Sequence, residues 1–220
     1  MSARDAVLGR VRAALGGGAA VPEVPRDYRG AGQAADADVV AKFCERAADY
    51  RANVRRVRAS ELPDAIAAAC AARGARRLVV PPGGPANIKG LALHADDPAL
   101  AARELDGFDG VLTGCALAIA ETGTIVLDAG PRSGRRAISL VPDYHVCVVE
   151  EAAIVPNVPD AVFLLKEAAA DGRPITLVSG PSATSDIELD RVEGVHGPRT
   201  LDVLVVAQDE PVGGEPGVQL

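Results

Sequence analysis

Aromatic side chains are scarce in this sequence of 220 residues, where they account for 3%, and tryptophan is absent. Hydrophobic residues nevertheless make up 48% of the chain, so Val, Leu, Ile and Ala must fill the core. Such a core is typical of helices packed on a parallel β-sheet. A chain of this length buries a sizeable core and most often forms one domain. The composition therefore favours a single α/β domain.

Closely spaced cysteines are also missing. Cys44, Cys70, Cys115 and Cys147 are scattered along the chain and no C-x-x-C motif occurs. Zinc ribbons, iron–sulfur clusters and thioredoxin-type sites all need closer spacing. We therefore expect four reduced, buried thiols and no metal site, with Cys115 in the most structured loop region.

Positive charge and long apolar runs are lacking as well. The formal net charge is −7, which argues against a general role in binding nucleic acid or a membrane surface. No apolar run reaches the length of a membrane span, and the N-terminus does not resemble a signal peptide. A cytoplasmic protein is the expectation from this pattern.

The two ends of the chain differ from its middle. Ser2 and Asp5 match a capping box ahead of an amphipathic helix at 2–15, and 16–35 are rich in Gly, Ala and Pro, as linkers are. Residues 1–35 therefore predict an N-terminal helical arm, which could pack on the body or on a partner subunit. Residues 208–220 predict a flexible tail, which leaves 36–207 as the domain.

The hydrophobic pattern within 36–207 alternates between strands and helices. A strand at 54–57, a helix at 60–73 and a strand at 77–80 predict a right-handed βαβ unit. Further helices are predicted at 36–50, 98–104 and 159–170, and further strands at 91–94, 111–113, 125–127, 137–141, 145–149, 175–178 and 201–206. The close spacing of the strands between 111 and 149 indicates a β-rich portion that is antiparallel at its edge.

A loop dense in Gly, Pro, Ser and Thr, SGPSATSD at 179–186, follows the apolar run 175–178. In open α/β sheets, ligands bind outside the carboxyl ends of the strands, and hydroxyls with exposed backbone N–H groups can hold a phosphate or carboxylate. One interpretation is a site for an anionic ligand, and the other is a capped turn. The candidate ligand-binding residues of this loop are Ser179, Gly180, Ser182, Thr184, Ser185 and Asp186.

A second loop, EGVHGPR at 193–199, precedes the apolar run 201–206. Arg199 could bind a carboxylate or phosphate through two hydrogen bonds. Glu193 could orient His196 as a general base. The alternative is a surface ion pair between Arg199 and Glu193, with His196 capping a strand.

Two further positions carry candidate chemistry. Glu121 precedes a Thr-Gly-Thr turn in an apolar setting, where it could act as a nucleophile or base, or could accept backbone N–H groups of the turn. Asp143 and His145 are two residues apart at the start of a strand and would share a face. His145 is a candidate ligand-binding residue, and the spacing specifies no metal.

Four stretches in order along 114–206 resemble the LUD-domain family, specifically its lactate-utilisation protein C (LutC, YkgG-like) branch. They are GCALAIAETGTIVLD, GRRAISLVPDYHVCVV, TLVSGPSATSDIE and VEGVHGPRTLDVLVV. The first hundred residues match that family only in outline. The resemblance implies a three-layer α/β fold of the NagB/RpiA/CoA-transferase (Rossmann-like) type, with a largely parallel sheet.

The resemblance also implies a role in the oxidation of L-lactate to pyruvate, together with LutA-like and LutB-like partners. The iron–sulfur clusters are expected in those partners and no cofactor in this chain. Three functions stay open: a component that binds a small carboxylate or phosphate-bearing ligand, a non-catalytic assembly module for the redox partners, and a stand-alone CoA/acyl-transferring or sugar-phosphate enzyme with Glu121 as nucleophile. Assembly of the chain into a homo-oligomer is a further open alternative.

Overall fold

The computed structural model describes residues 2–16, 23–28, 30–32, 38–181 and 197–207. The helices are α1 (Ala3–Leu15), α2 (Val39–Asp49), α3 (Leu62–Ala72), α4 (Ala102–Asp106), α5 (Val158–Leu164) and α6 (Lys166–Ala170). The strands are β1 (Asn53–Arg58), β2 (Arg77–Val80), β3 (Ala92–Ala95), β4 (Gly110–Thr113), β5 (Leu117–Ile119), β6 (Thr124–Leu127), β7 (Tyr144–Glu150), β8 (Ile154–Val155), β9 (Thr176–Val178) and β10 (Thr200–Ala207). Short 3-10 helices lie at Ala59–Glu61, Arg136–Ser139 and Glu151–Ala153.

The main sheet has six parallel strands in the order β1-β10-β7-β4-β2-β3. Its central strands are apolar because both faces are covered, and β4 and β10 are buried along most or all of their length. The predicted α/β fold with a largely parallel sheet is thus confirmed. The predicted strand–helix–strand order from β1 to β2 is also correct, although three other strands separate the two in the sheet.

A second sheet accounts for the predicted β-rich portion. Its order is β8-β5-β6-β9, with β5, β6 and β9 antiparallel and β8 parallel to β5. The strand at 175–178, expected to be buried among core strands, is the partly exposed edge strand β9 of this smaller sheet. An apolar run alone does not show which sheet a strand joins, and β9 is covered on one side only.

Helices and the second sheet enclose the main sheet. Helix α3 covers one face through a cluster that includes Ile66, Leu78 and Leu112. On the other face, Phe43 of α2 packs with Ile125 of the second sheet and with residues of β7 and β10. Helices α5 and α6 lie outside the second sheet and bury Ala161 and Leu165 against it. This layering positions two cavities, one at each edge of the main sheet.

Two predicted elements differ from the structure. The segment 137–141, predicted as a strand, lies largely in the 3-10 helix Arg136–Ser139. Gly134 has φ +68° and Arg135 binds the buried Asp96 through two nitrogens, so the chain turns here. Ile138 then packs beside Leu105 and Val111. The helix predicted at 159–170 is interrupted at Leu165 and forms α5 and α6.

Helix α1 forms as predicted, with the Ser2–Asp5 capping box in place. None of its residues is buried, and Val7, Val11 and Leu15 are 48–66% exposed. The domain limits at 35 and 207 stay predictions, and the tail at 208–220 lies outside the described residues. None of the helices in the described part of the chain combines the length and apolar character needed to cross a membrane.

The turn between β5 and β6 packs tightly against α2. Gly123 has φ +62°, and a Cβ added there would lie 2.5 Å from the backbone nitrogen of Ala47. Gly180, at φ +85°, comes equally close to α2, where a Cβ would collide with the carbonyl oxygen of Tyr50. Both glycines thus let the second sheet approach α2.

We expect Gly123→Ala to lower the free energy of unfolding by about 2–4 kcal/mol, because backbone strain and overpacking add together. The matched control is Gly172→Ala, at φ +69° with nothing within 4 Å of the added Cβ, which costs only the strain of about 1–2 kcal/mol. Urea denaturation of both variants measures the difference. Equal losses of unfolding free energy in the two variants would show that the contact of Gly123 with α2 is not tight.

Candidate functional site

The first cavity opens at the carboxyl edge of the main sheet, between β2 and β4. After β2 the chain turns toward α3, where Ile88 is buried, whereas after β4 it turns to the opposite face, where Cys115 is buried. Neighbouring strands whose connections leave on opposite faces create the crevice in which α/β proteins bind ligands. We call this cavity, of about 250 Å³, the carboxyl-edge crevice. It is lined by Leu62, Pro63, Ile66, Pro81, Gly83, Gly84, Pro85, Asn87, Ile88, Leu112, Thr113, Gly114, Arg132 and Val148.

The second cavity, of about 290 Å³, lies where β7 and β10 begin, between the two sheets. We call it the amino-edge cavity. Two of its hydroxyl groups are hydrogen-bonded, since Thr124 Oγ1 lies 2.8 Å from Ser179 Oγ, and Thr124 Oγ1 also lies 2.7 Å from Thr122 Oγ1 behind the lining. It is lined by Thr124, Ser139, Leu140, His145, Thr176, Leu177, Val178, Ser179, Gly180, Pro181, Gly197, Pro198 and Leu201.

A buried polar cluster lies between the two cavities. His145, 1% exposed, places Nε2 2.8 Å from Thr113 Oγ1 across the β4–β7 pair. Thr113 also donates to Cys147 Sγ at 3.9 Å, and Cys147 donates to the Gly114 carbonyl at 3.8 Å. His145 lines the amino-edge cavity and Thr113 lines the carboxyl-edge crevice. One hydrogen bond therefore joins the walls of both cavities.

The two buried thiols of this cluster have opposite pKa shifts. A hydrogen bond from Cys115, with further support from His145 and Thr113, lowers the pKa of Cys147 to about 5 although burial opposes the shift. The same hydrogen bond, together with burial, raises the pKa of Cys115 well above its ordinary value. Of the two thiols, Cys147 is therefore the one that loses its proton first as the pH rises.

The structure brings together only some of the residues proposed from the sequence. Ser179, Gly180 and His145 line the amino-edge cavity. The strand that precedes Ser179 belongs to the second sheet, so the rule for carboxyl ends of parallel strands does not apply to it, and this prediction of the strand context was wrong. Ser182, Thr184, Ser185, Asp186, Glu193 and His196 lie outside the described residues.

The remaining candidates lie elsewhere. The Arg199 side chain is 66% exposed, with Nη2 3.4 Å from the carboxylate of Asp143, and it does not belong to the described lining of the amino-edge cavity. Asp143 therefore does not share the buried environment of His145, with which it was expected to share a face. Glu121 is in the β5–β6 turn, where its N–H donates to the Pro156 carbonyl, and it is not among the described residues that line either cavity.

The residues missed from the sequence belong mainly to the carboxyl-edge crevice. Its polar groups, Arg132, Asn87 and Thr113, come from three separate segments of the chain. The one available signal was the PPGG turn directly after β2, which places Gly83 and Gly84 at the carboxyl end of a strand in the parallel sheet. Cys147 and Thr113 lie inside apolar strands and gave no signal of their own.

We expect the Cys115–Cys147 pair to make stability depend on pH. The folded-state pKa of Cys147, about 5, is below that of an unfolded thiol at about 8.5. The resulting stabilisation is complete above the unfolded pKa and is lost as the pH falls toward 5. Cys115→Ala removes the main cause of the shift, so its free energy of unfolding should change less between pH 6 and pH 8.

Urea denaturation at the two pH values measures this difference. Cys70→Ala is the control, because burial raises the pKa of Cys70 to about 11 and it therefore titrates outside this window. It should retain the pH dependence of the native protein. If Cys115→Ala also retained that dependence, the thiolate assignment would be wrong.

Comparison with known proteins places this chain in a family. The family model described as the LUD domain matches residues 40–206. A lactate utilization protein C from Deinococcus radiodurans is 52% identical over 172 residues, which cover 77% of this chain and 80% of that protein. YkgG from Escherichia coli is 33% identical over 117 residues, which cover 50% of each chain.

Among solved structures, a DUF162 family protein from Deinococcus radiodurans superposes with a TM-score of 0.68 at 46% identity. The superposition covers 78% of this chain and 98% of that one. Sequence and structure agree over the same α/β body, and the resemblance noted from four sequence stretches is confirmed. The chain belongs to the LUD domain family.

Proposed function

We propose that this protein serves L-lactate utilisation as a LutC-like component of the system that oxidises L-lactate to pyruvate. Its high similarity to a relative named lactate utilization protein C supports this pathway. Its own contribution is to bind a small hydroxy- or keto-carboxylate in the amino-edge cavity. The observation that carries this assignment is the series of hydrogen-bonded hydroxyls that ends at Ser179.

The chemistry of the amino-edge cavity suits lactate and pyruvate alike. A hydroxyl group both donates and accepts hydrogen bonds, so Thr124 and Ser179 can bind either the 2-hydroxyl or the 2-keto oxygen, as well as a carboxylate. Leucine side chains line the same cavity and offer an apolar surface to the methyl group. A volume of about 290 Å³ accommodates a ligand of this size.

The redox chemistry in this proposal belongs to partner proteins. LutA-like and LutB-like proteins would carry the iron–sulfur clusters that accept the electrons from lactate, as the family resemblance implies. The chain described here would bind the hydroxy acid or its product within that assembly. His145 is a candidate for contact with the ligand, because its buried ring lines the cavity while Nε2 is held by Thr113.

We expect Thr124→Val to weaken the binding of L-lactate and pyruvate about tenfold or more, because it removes a hydroxyl that would contact a charged ligand. The control is Thr200→Val, whose hydroxyl lies outside the amino-edge cavity. Isothermal titration calorimetry on the purified chain measures both affinities. Equal affinities in the two variants would show that the ligand does not bind in this cavity.

A second candidate function, an assembly module for the redox partners, is favoured by the exposure of α1. Its apolar side chains Val7, Leu8, Val11 and Leu15 recur at helical spacing, and all are 37–66% exposed. The helix is capped at Ser2, and none of its residues is buried against the body. Such a stripe is typical of a helix that binds a groove on another protein.

If the assembly function is correct, replacing Leu8 and Val11 with Gln should abolish the capture of LutA-like and LutB-like proteins in a pull-down with the full chain. Arg10→Gln, on another side of the same helix, should leave capture unchanged. Thr124→Val should also leave it unchanged, which separates assembly from ligand binding. Capture by the double variant at the native level would exclude α1 as the docking element.

A further inference from the structure

We propose that the carboxyl-edge crevice is a second ligand site, which binds a carboxylate whose apolar group fits between α3 and the loop after β2 while its charge contacts Arg132. The proposal does not depend on the amino-edge cavity, and among the described residues none lines both cavities. It also does not depend on a role in lactate utilisation. Three properties of the crevice support it: its walls, its glycines and its single arginine.

The walls of the crevice are mostly apolar. Ile66, 3% exposed, and Leu112, 1% exposed, form its floor with Val148. Pro63 of α3 and Pro85 of the loop after β2 flank it. Rigid proline rings and branched side chains keep such a space open, because they have few conformations with which to fill it. The floor therefore suits a hydrocarbon or ring rather than a hydrated ion.

Three glycines line the crevice at positions where the chain packs closely on itself. Gly83, Gly84 and Gly114 are not among the glycines with positive φ, so the backbone conformation does not require glycine at these positions. A Cβ at residue 84 would lie 3.0 Å from the Pro81 carbonyl oxygen and Val80 Cβ. A Cβ at residue 114 would lie 3.3 Å from Nε of Arg132. At residue 84 glycine therefore lets the turn after β2 close on itself, and at residue 114 it leaves room beside the arginine.

Arg132 supplies a positive charge at the mouth of the crevice. Its terminal nitrogens contact Glu150 at 2.7 and 3.3 Å, whereas Nε is the nitrogen next to Gly114. The side chains of Arg132 and Glu150 are 46% and 45% exposed. An ion pair this exposed contributes little stability. A ligand carboxylate can therefore share Arg132 with Glu150, or displace Glu150 from it, at a small cost in free energy. Asn87 adds an amide to the lining.

The volume of the crevice limits the size of the ligand. Cavities of about 150 Å³ bind benzene in proteins. At about 250 Å³, the crevice has room for a group of that size with a carboxylate attached. The ligand class is therefore a monocarboxylate with a ring-sized or short-chain apolar group, which excludes acetate and lactate as good ligands because they leave the floor empty.

The test compares hexanoate, acetate and hexan-1-ol as probes in calorimetric titrations of the full-length protein. We expect hexanoate to bind about tenfold or more tightly than acetate, which lacks the apolar group, and than hexan-1-ol, which lacks the charge. Arg132→Gln should reduce hexanoate affinity to that of hexan-1-ol and leave hexan-1-ol affinity unchanged. The control is Arg56→Gln, since Arg56 is 53% exposed and pairs with Glu151 in the same manner outside the crevice.

Gly114→Ala is the second variant, because its added methyl group fills space beside Nε without straining the backbone. It should weaken hexanoate binding while urea denaturation shows a folded protein. The proposal is overturned if hexanoate shows no saturable binding, if acetate binds as tightly, or if Arg132→Gln and Arg56→Gln bind hexanoate equally. None of these results would affect the lactate proposal, whose test uses other probes and Thr124→Val.

Discussion

The burial of β7 on both faces is the constraint on which the rest of the structure depends. A buried polar group without a partner is costly, so each polar side chain of this strand must find a partner inside the protein. The Tyr144 hydroxyl donates to Asp202 of the neighbouring strand β10, and His145 is paired with Thr113 of the other neighbour, β4. Among the described residues, no buried side-chain nitrogen or oxygen lacks a partner. The same pairing holds His145 in the wall of one cavity and Thr113 in the wall of the other.

The sequence contained enough information to identify the main sheet but not to assign every strand to it. The runs that became β2, β7 and β10 are apolar because both faces of the strand are covered, and that pattern is visible along the chain. The runs at 137–141 and 175–178 are equally apolar for different reasons. The first places Ile138 in a buried turn, and the second pairs with β6 at the edge of the smaller sheet. Pairing partners lie far apart in sequence, so periodicity could not separate these cases.

The candidate site was predictable in composition but not in location. Ser179 and His145 do line the same cavity, because β9 ends near the place where β7 begins. The expectation had relied on a rule for parallel strands, which concerns the opposite edge. Arg199 shows the same limit, since its charge suggested ligand binding whereas its position just before β10 lets it pair with Asp143 on the surface. Residue type indicates what chemistry a side chain can perform. The strand connections determine at which edge of the main sheet that side chain lies.

The glycines show how the requirements of folding and of ligand binding can be separated in one chain. Gly123 and Gly180 lie in motifs that suggested function, yet both have positive φ and a backbone neighbour where a Cβ would be, so their role is to bring the second sheet onto α2. Gly84 and Gly114 line the carboxyl-edge crevice and have no positive φ. A Cβ at residue 84 would meet the Pro81 carbonyl oxygen and Val80 Cβ at 3.0 Å, whereas one at residue 114 would meet Nε of Arg132 at 3.3 Å. Gly84 is therefore explained by the close turn after β2, and Gly114 by the space that it leaves beside Arg132.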